Sequence, residues 1–514
     1  MVARIITFAF EGIEAQPVDV QVHMAGGNQP AFMIVGLPDK AVGESRERVR
    51  AAFSAIGLAL PPKRITVNLA PADLPKEGSH YDLAIALGIM ACMGIFPADA
   101  LQGHAALGEL SLDGQLGPTV GVLPAAIKAA DLDMRLICPE VCGPEAAWAG
   151  KGNLAAGSLI GLINHFCGRT PLSCPPPGKI SEAERVFDLR DVKGQDGAKR
   201  ALEIAAAGGH NLLFCGPPGS GKSMLAKRLA GLLPPLSAGE LLEVSQIQSV
   251  SGLLERGRLS HTRPFRAPHH SASMAALVGG GIRARPGEVS LAHHGVLFLD
   301  ELPEFSGQVL DSLRQPLEDG EVTISRANRH VRYPARFQLI AAMNPCRCGG
   351  GDGVCRKGAR CAETYQARLS GPFLDRIDLF FDTPAVTAED LTRATDSEGS
   401  QVVAARVAWA RKAQADRYQT GKRHLGRALN VDANVDQLSE HAALDAAGST
   451  LLNDAATKLR LSARGYHRVL KVARTIADLE KSPRVMRGHL AEALSYRRRP
   501  PDIGPTASAN TLNV

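Results

Sequence analysis

Three short stretches set phosphate-binding and water-activating groups at the ends of apolar runs. Gly216, Pro217, Pro218, Gly219, Ser220, Gly221, Lys222 and Ser223 spell GPPGSGKS, between the apolar Asn211–Cys215 and the helical MLAKRLAGLL. In such a strand–loop–helix the glycines free backbone N–H groups to turn toward phosphates. Lys222 is expected to reach the β- and γ-phosphates of ATP, and Ser223 to ligate Mg²⁺. HHGVLFLDE, His293 to Glu301, is an apolar strand that ends in two acids. Asp300 is expected to help hold Mg²⁺ through its water shell, and Glu301 to polarise the attacking water. QLIAAMNP places Asn344 at the end of a third apolar run. There its amide can touch the γ-phosphate or the water, although Asn-Pro also reads as a plain turn. Phosphoryl transfer needs cations as well. Arg376, in SGPFLDRIDLFF, and Arg464, which opens a C-terminal helix, are the candidates, one acting from a neighbouring subunit and one from a lid. Ordinary surface ion pairs are the alternative for both.

Two further groups stand near these motifs. GEVTISRANRHVRYPARF, Gly320 to Phe337, alternates Val322, Ile324, Val331 and Tyr333 about Ala327-Asn328 and predicts a β-hairpin. It carries Arg326, Arg329, His330 and Arg332, with Arg336 beyond, and no acid lies between Glu321 and Asp352. This is a surface suited to a phosphate backbone, or a solvated basic hairpin. No base-reading motif accompanies it, so DNA binding would be sequence-independent. Arg256 to Arg266 is a second basic segment. Cys346, Cys348, Cys355 and Cys361 form C-x-C-x6-C-x5-C. Four thiolates so close can surround zinc, although the first spacing is tighter than C-x2-C. Four reduced thiols are the alternative.

These motifs need elements to hold them. A chain of 514 residues calls for about three domains. PLSCPPPGKISEAE, from Pro171, reads as a linker, which gives an N-terminal domain over 1–170 and a linker over 171–185. An α/β core is expected over 186–385. A helical domain follows over 386–499, with Val403, Val407 and Ala410 on one helix face, and then a disordered tail over 500–514. The net charge of +6 is compatible with nucleic acid without requiring it. Apolar content of 45% excludes wholesale disorder. The longest apolar run, Leu83 to Phe96, is too short to span a bilayer, and no signal peptide is read. A soluble, cytoplasmic protein with no membrane partner is expected.

DVKGQDGAKRALEIAAAGGHNLLFCGPPGSGKS, RPFRAPHHSAS, GGGIRARPGEVSLAHHGVLFLDELPEF, LRQPLEDGEVTISR and SGPFLDRIDL resemble the magnesium-chelatase-like AAA+ family, in its ComM/YifB-type competence-protein branch. The resemblance covers nearly the whole chain to about residue 499. It implies an AAA+ ATPase that forms a hexameric ring, with Asn344 as sensor 1, Arg376 as the trans-acting finger and Arg464 as sensor 2, Arg468 being the alternative. It places Gln195 near the adenine and the basic hairpin in the central pore, with Arg256 to Arg266 as another pore-side insertion. LPKEGSHYDLAIALGI and GELSLDGQLGPTVGVLPAAIKAA resemble the nucleophile and lysine stretches of Lon-type proteases. Here His80 stands at the serine position and Leu123 at the lysine position, so a Lon-like α+β domain without peptidase chemistry is expected. The function implied is an ATP-driven motor on single-stranded and branched DNA that promotes branch migration in natural transformation. A chelatase motor subunit and an ATP-dependent protease or unfoldase are the alternatives.

Overall fold

The computed structural model describes residues 2–26, 30–181, 187–281, 284–326, 329–349, 360–387, 389–390, 398–418, 428–459 and 461–497. It is a mixed α/β protein, and its two larger sheets belong to different parts of the chain.

The first sheet is built from residues 2–156. β1 (Val2–Glu11) and β2 (Glu14–Ala25) form a long antiparallel pair. Around them lie β3 (Ala31–Val35), β4 (Arg64–Ala70), β5 (His104–Ala106), β6 (Arg135–Pro139) and β7 (Leu154–Ala156), in the order β3-β4-β2-β1-β5-β6-β7. The apolar run from Leu83 becomes α2 (Asp82–Cys92), preceded in the chain by α1 (Lys40–Ala55). A helix apolar on every side has to be enclosed, and Leu83 to Ala91 are buried all round. Asp82 at its start is held bidentately by Arg48, at 2.6 and 3.0 Å.

The second sheet has five parallel strands. They are β8 (Leu212–Cys215), β9 (Phe265–Arg266), β10 (Val296–Leu299), β13 (Gln338–Met343) and β14 (Leu379–Asp382), in the order β9-β10-β13-β8-β14. Central parallel strands covered on both faces read as unbroken apolar runs, and VLFL and QLIAAM are buried at every position. The register sets Leu212 beside Ile340 and Leu379, and Cys215 beside Met343 and Asp382. The P-loop, Asp300 and Asn344 therefore leave one edge of the sheet together. Between β10 and β13 the hairpin forms as predicted, β11 (Glu321–Arg326) against β12 (Arg329–Pro334). Val322, Ile324, Val331 and Tyr333 are its buried face.

The C-terminal helices include α10 (Ser400–Tyr418), α13 (Ala463–Leu479) and α14 (Arg487–Ser495). Val403, Val407 and Ala410 are buried, as their spacing predicts. They join a core with Leu212, Phe214 and the helix α5 (Asp196–Gly208). These helices thus pack on one face of the five-stranded sheet.

The end of the Pro-rich stretch makes backbone contacts on both sides. Ile180–Ser181 pairs in parallel with Leu259–Ser260, and Gly178 donates to Pro144 O at 3.0 Å. A Cβ on Gly178 would lie 2.1 Å from Gly257 O, so the backbones touch there. Residues 182–186 and the expected tail lie outside the described residues.

Candidate nucleotide site and the arginine edge

α6 (Lys222–Leu232) begins directly after the P-loop. Gly219 and Gly221 hold left-handed φ values of +77° and +86°, with open space where a side chain would stand. At Gly216 a Cβ would meet Thr383 O at 2.2 Å. The loop is thus pinned at its start and open along its crest. Lys222 is buried, and its Nζ donates to Gly216 O, Pro217 O, Ser220 Oγ and Asn344 Oδ1 at 2.7, 2.8, 3.3 and 3.3 Å. Burial lowers its pKa against the opposing pull of Asp300 and Cys215. Ser223 Oγ donates to Asp300 Oδ2 at 2.6 Å, so the two expected Mg²⁺ groups already face each other. The other oxygen of Asp300 accepts from Glu301 N at 2.9 Å.

Glu301 adopts φ 51°, ψ 45°, which turns its carboxylate off the strand line. Its Oε2 lies 3.3 Å from His270 Nδ1. His270 went unassigned from sequence, although RAPHH stood in a block already singled out. Gln195, at φ 58°, donates to Pro384 O at 2.7 Å, beside the Thr383 that packs on Gly216. Backbone N–H groups, an ammonium, and a hydroxyl facing a carboxylate form a donor set that fits a nucleotide triphosphate with Mg²⁺.

Arg376, Arg464 and Arg468 lie elsewhere. Arg376 is buried, donates to Pro372 O at 2.8 Å and pairs with Glu318 at the end of α8 (Arg314–Asp319). Arg464, mostly exposed, approaches the same Glu318 carboxylate to 3.4 Å. Arg468 lies 3.3 Å from Asp378, which accepts from Asn211 N at 2.9 Å. Asn211 Nδ2 also donates to Arg376 O at 2.9 Å. Asn211 and Asp378 directly precede β8 and β14, so all three arginines stand at the amino edge of the sheet. The P-loop leaves the carboxyl edge, about 13 Å away along the four residues of β8. In this arrangement Arg464 meets Glu318 at the amino edge and not its own chain's P-loop. Sequence reading also missed Glu318, whose partners are distant in the chain.

The basic segments divide likewise. Arg332 and His330 are exposed, with His330 Nδ1 3.0 Å from Ser325 Oγ. Arg326 and Arg329 are the paired ends of the strands, and their side chains lie outside the description. The backbone of Arg332 lies against Gly12, where a Cβ would be 2.3 Å from its carbonyl oxygen. Arg256 to Arg266 is a divided basic segment: Arg256 and Arg258 are exposed, while its other two arginines are paired. Arg263 donates to both oxygens of Glu240, Arg266 to both of Glu288, and Gly257 O accepts from Trp148 Nε1 at 2.7 Å. This segment faces the N-terminal unit.

In that unit His80 is buried, Nε2 donating to Phe8 O at 2.9 Å, and burial pushes its pKa down to about 4. Leu123 is buried against Leu236, Leu241 and Val244. Its N–H donates to Glu145 Oε1, which also accepts from Ser249 Oγ. No hydroxyl–amine pair is formed at these two positions, and one of them has become a contact with the nucleotide-binding part. Of the cysteine cluster, Cys346, Cys348 and Cys361 come together, while Cys355 lies outside the described residues.

Comparison with known proteins shows the family of the chain. Residues 188–391 match the family model "Magnesium chelatase, subunit ChlI", 20–141 match "Subunit ChlI of Mg-chelatase", and 397–497 match "Magnesium chelatase, subunit ChlI C-terminal". The competence protein ComM of Haemophilus influenzae is 45% identical over 508 residues, 96% of this chain and 97% of its own. The chain belongs to the magnesium-chelatase-like proteins of the ComM/YifB type. YifB of Escherichia coli is 43% identical over 96% of both chains. The magnesium-chelatase 38 kDa subunit of Rhodobacter capsulatus is 27% identical over 65% of this chain and 94% of its own. In this ComM/YifB-type chain no helix among the described residues is long and apolar enough to cross a membrane.

Proposed function

We propose that this protein is an ATP-hydrolysing AAA+ motor that assembles into a hexameric ring and moves DNA branches during uptake and recombination. The observation that carries this reading is the separation of the two halves of one phosphoryl-transfer site. The P-loop and its acids occupy one edge of a sheet, and the arginines occupy the other. Chains arranged head to tail in a ring bring the arginine edge of one to the P-loop of the next. Arg376 and Arg464 then both act across the boundary, Arg376 as finger and Arg464, or Arg468, as sensor 2.

ATP with Mg²⁺ supplies the anhydride that is cleaved. Lys222 and the P-loop amides would hold its phosphates, Ser223 and Asp300 the metal, and Gln195 the base side. Glu301, steadied by His270, would take the proton of the water, and Asn344 would position that water. The arrangement of 1–170 as a Lon-like scaffold, 171–185 as a joining segment, 186–385 as AAA+ core and 386–499 as helical lid belongs to the same reading. The family-model matches, which break between 141 and 188 and between 391 and 397, support it.

DNA as the substrate is supported by the exposed His330 and Arg332 of the hairpin, with no acid between Glu321 and Asp352, and by the competence role in the name of ComM. Sequence-independent binding of single-stranded and branched DNA in the pore follows from phosphate contacts alone. A chelatase motor that remodels a partner is the second reading, favoured by the similarity to the 38 kDa chelatase subunit. Replacing Arg326, Arg329 and Arg332 together with Ala is the test. DNA-stimulated ATPase and branch migration are expected to fall, basal ATPase to persist, and the salt slope of DNA affinity to flatten by about 2–3 units. Parental affinity, slope and branch migration in the triple variant would remove the hairpin as the DNA contact. ATPase that no single-stranded or forked DNA stimulates would favour the chelatase reading.

A further inference from the structure

Cys346 follows Asn344 by two residues, and Cys361 lies in α9 (Arg360–Gln366). The Sγ atoms of Cys346 and Cys348 are 3.2 Å apart, and those of Cys348 and Cys361 are 3.6 Å apart. All three lie within 4.8 Å of one another. These separations far exceed a disulfide bond of about 2.05 Å. They resemble the edge, about 3.8 Å, of a tetrahedron with Zn–S bonds of about 2.3 Å. Cys346 is buried and Cys348 exposed, so the cluster has a closed side and an open one.

The surroundings tie this cluster to the nucleotide site. Gly349 N donates to Cys346 O at 3.0 Å and closes the turn. Gly349, at φ +81°, lies so close to the P-loop that a Cβ would stand 2.9 Å from Pro218 Cγ. Pro345 O accepts from Gln366 Nε2 at 3.0 Å, and Asn344, the residue before it, accepts from Lys222. Tyr365, in the helix of Cys361, is buried near Glu304 and Glu301. Burial first, and those carboxylates next, push its hydroxyl up to about 12.

We propose that Cys346, Cys348 and Cys361 bind a zinc ion as thiolates and that the ion braces the P-loop and Asn344 from outside. Each thiol releases its proton to solvent as it binds, so the metal occupies the site more fully as pH rises. The ion joins α9 to the turn that touches Pro218, fixing the approach of Asn344 to Lys222. A second cluster, Glu243, His293 and His294, is of another kind. His293 Nδ1 accepts from Arg336 N, so its Nε2 carries the proton and donates to Glu243 at 2.9 Å. That is a hydrogen-bonded set, not a set of lone pairs.

The zinc site stands on the thiols alone; its bracing role rests on the ATP-site reading. Full-length protein purified without affinity metal under reducing conditions is expected to carry about one zinc per chain. Cys348→Ser and Cys361→Ser are each expected to drop below about 0.2. Cys174→Ser, exposed and remote, should keep the parental value. Cobalt replacing zinc should show the intense sulfur-to-metal absorption of at least three thiolates. Wild-type protein that takes up neither ion overturns the site. Chelator-stripped wild type is expected to bind a fluorescent ATP analogue about tenfold more weakly and to recover with zinc alone. Unchanged affinity after stripping overturns the brace. Zinc-loaded protein that binds the analogue but never hydrolyses ATP would leave both parts standing and overturn the ATPase reading instead.

Discussion

The carboxyl edge of the five-stranded sheet carries Lys222 bonded to Asn344 and Ser223 bonded to Asp300. The amino edge of the same sheet carries Arg376, Arg464 and Arg468, neutralised by Glu318 and Asp378. The first edge has a donor set that fits phosphates. The second is a set of cations that holds no phosphate. Parallel strands make this division possible, because every loop at one edge is distant from every loop at the other. The ring proposed above rests on this division.

The largest effect expected from breaking this arrangement is at the carboxyl edge. Lys222→Ala should lower ATP turnover by at least about a thousandfold, since the cation facing the β/γ-phosphates is lost. Glu301→Gln should lose turnover comparably while keeping nucleotide affinity, because only water activation is removed. Steady-state ATPase with analogue binding measures both. Parental turnover in Glu301→Gln would take that residue out of the mechanism.

At the amino edge the effects should be smaller in binding and distinct in mixtures. Arg376→Ala is expected to cost about 10³-fold in turnover with nucleotide affinity nearly intact. Mixed with Lys222→Ala protein, it should regain activity, because some boundaries pair an intact P-loop with an intact arginine. Arg464→Ala sharpens the comparison. If Arg464 serves the neighbour, the same mixture recovers. If it serves its own nucleotide, every chain with a working P-loop lacks it, and no mixture recovers. Mixed rings that form yet stay inactive with Arg464→Ala would return that residue to its own subunit.

What could be read from the sequence followed the range over which a motif acts. The P-loop, the acid pair, the strand before Asn344 and the hairpin are local patterns, and each appears where its residues predict. The buried stripe of Val403, Val407 and Ala410 was legible for the same reason. Residues whose meaning depends on distant partners were not. Glu318 is one of several acids near the hairpin until Arg376 and Arg464, from two other segments, meet on it. His270 gains its partner only when the chain returns beside Glu301. Leu123 was legible as a missing lysine, but not as an apolar contact with Leu236 and Val244. The pairing of Arg263 and Arg266 in the second basic segment was hidden likewise, because their carboxylate partners, Glu240 and Glu288, lie outside it in sequence.

The smallest expected effect is on stability and compares the amino edge with the N-terminal unit. His210, just before Asn211, is fully buried, and its Nε2 donates to Thr475 Oγ1 at 2.8 Å. Burial pushes its pKa from 6.5 to about 4, although Asp378 pulls the other way. His80 is lowered to about 4 by burial as well. An unfolded chain takes up these protons near pH 6.5, and the folded chain refuses them until about pH 4. The unfolded state therefore binds more protons across that window, and stability falls as pH drops through it. Above pH 6.5 both histidines are neutral in both states, and their contribution is fully present. Each can account for up to about 3 kcal/mol across the window. His210→Asn, which keeps a donor for Thr475, should flatten the fall of melting temperature between pH 6.5 and 4. His80→Asn should flatten it separately, and the two effects should add, since the residues share no contact. A melting profile in which neither variant changes the slope would mean that both rings take up their protons without unfolding.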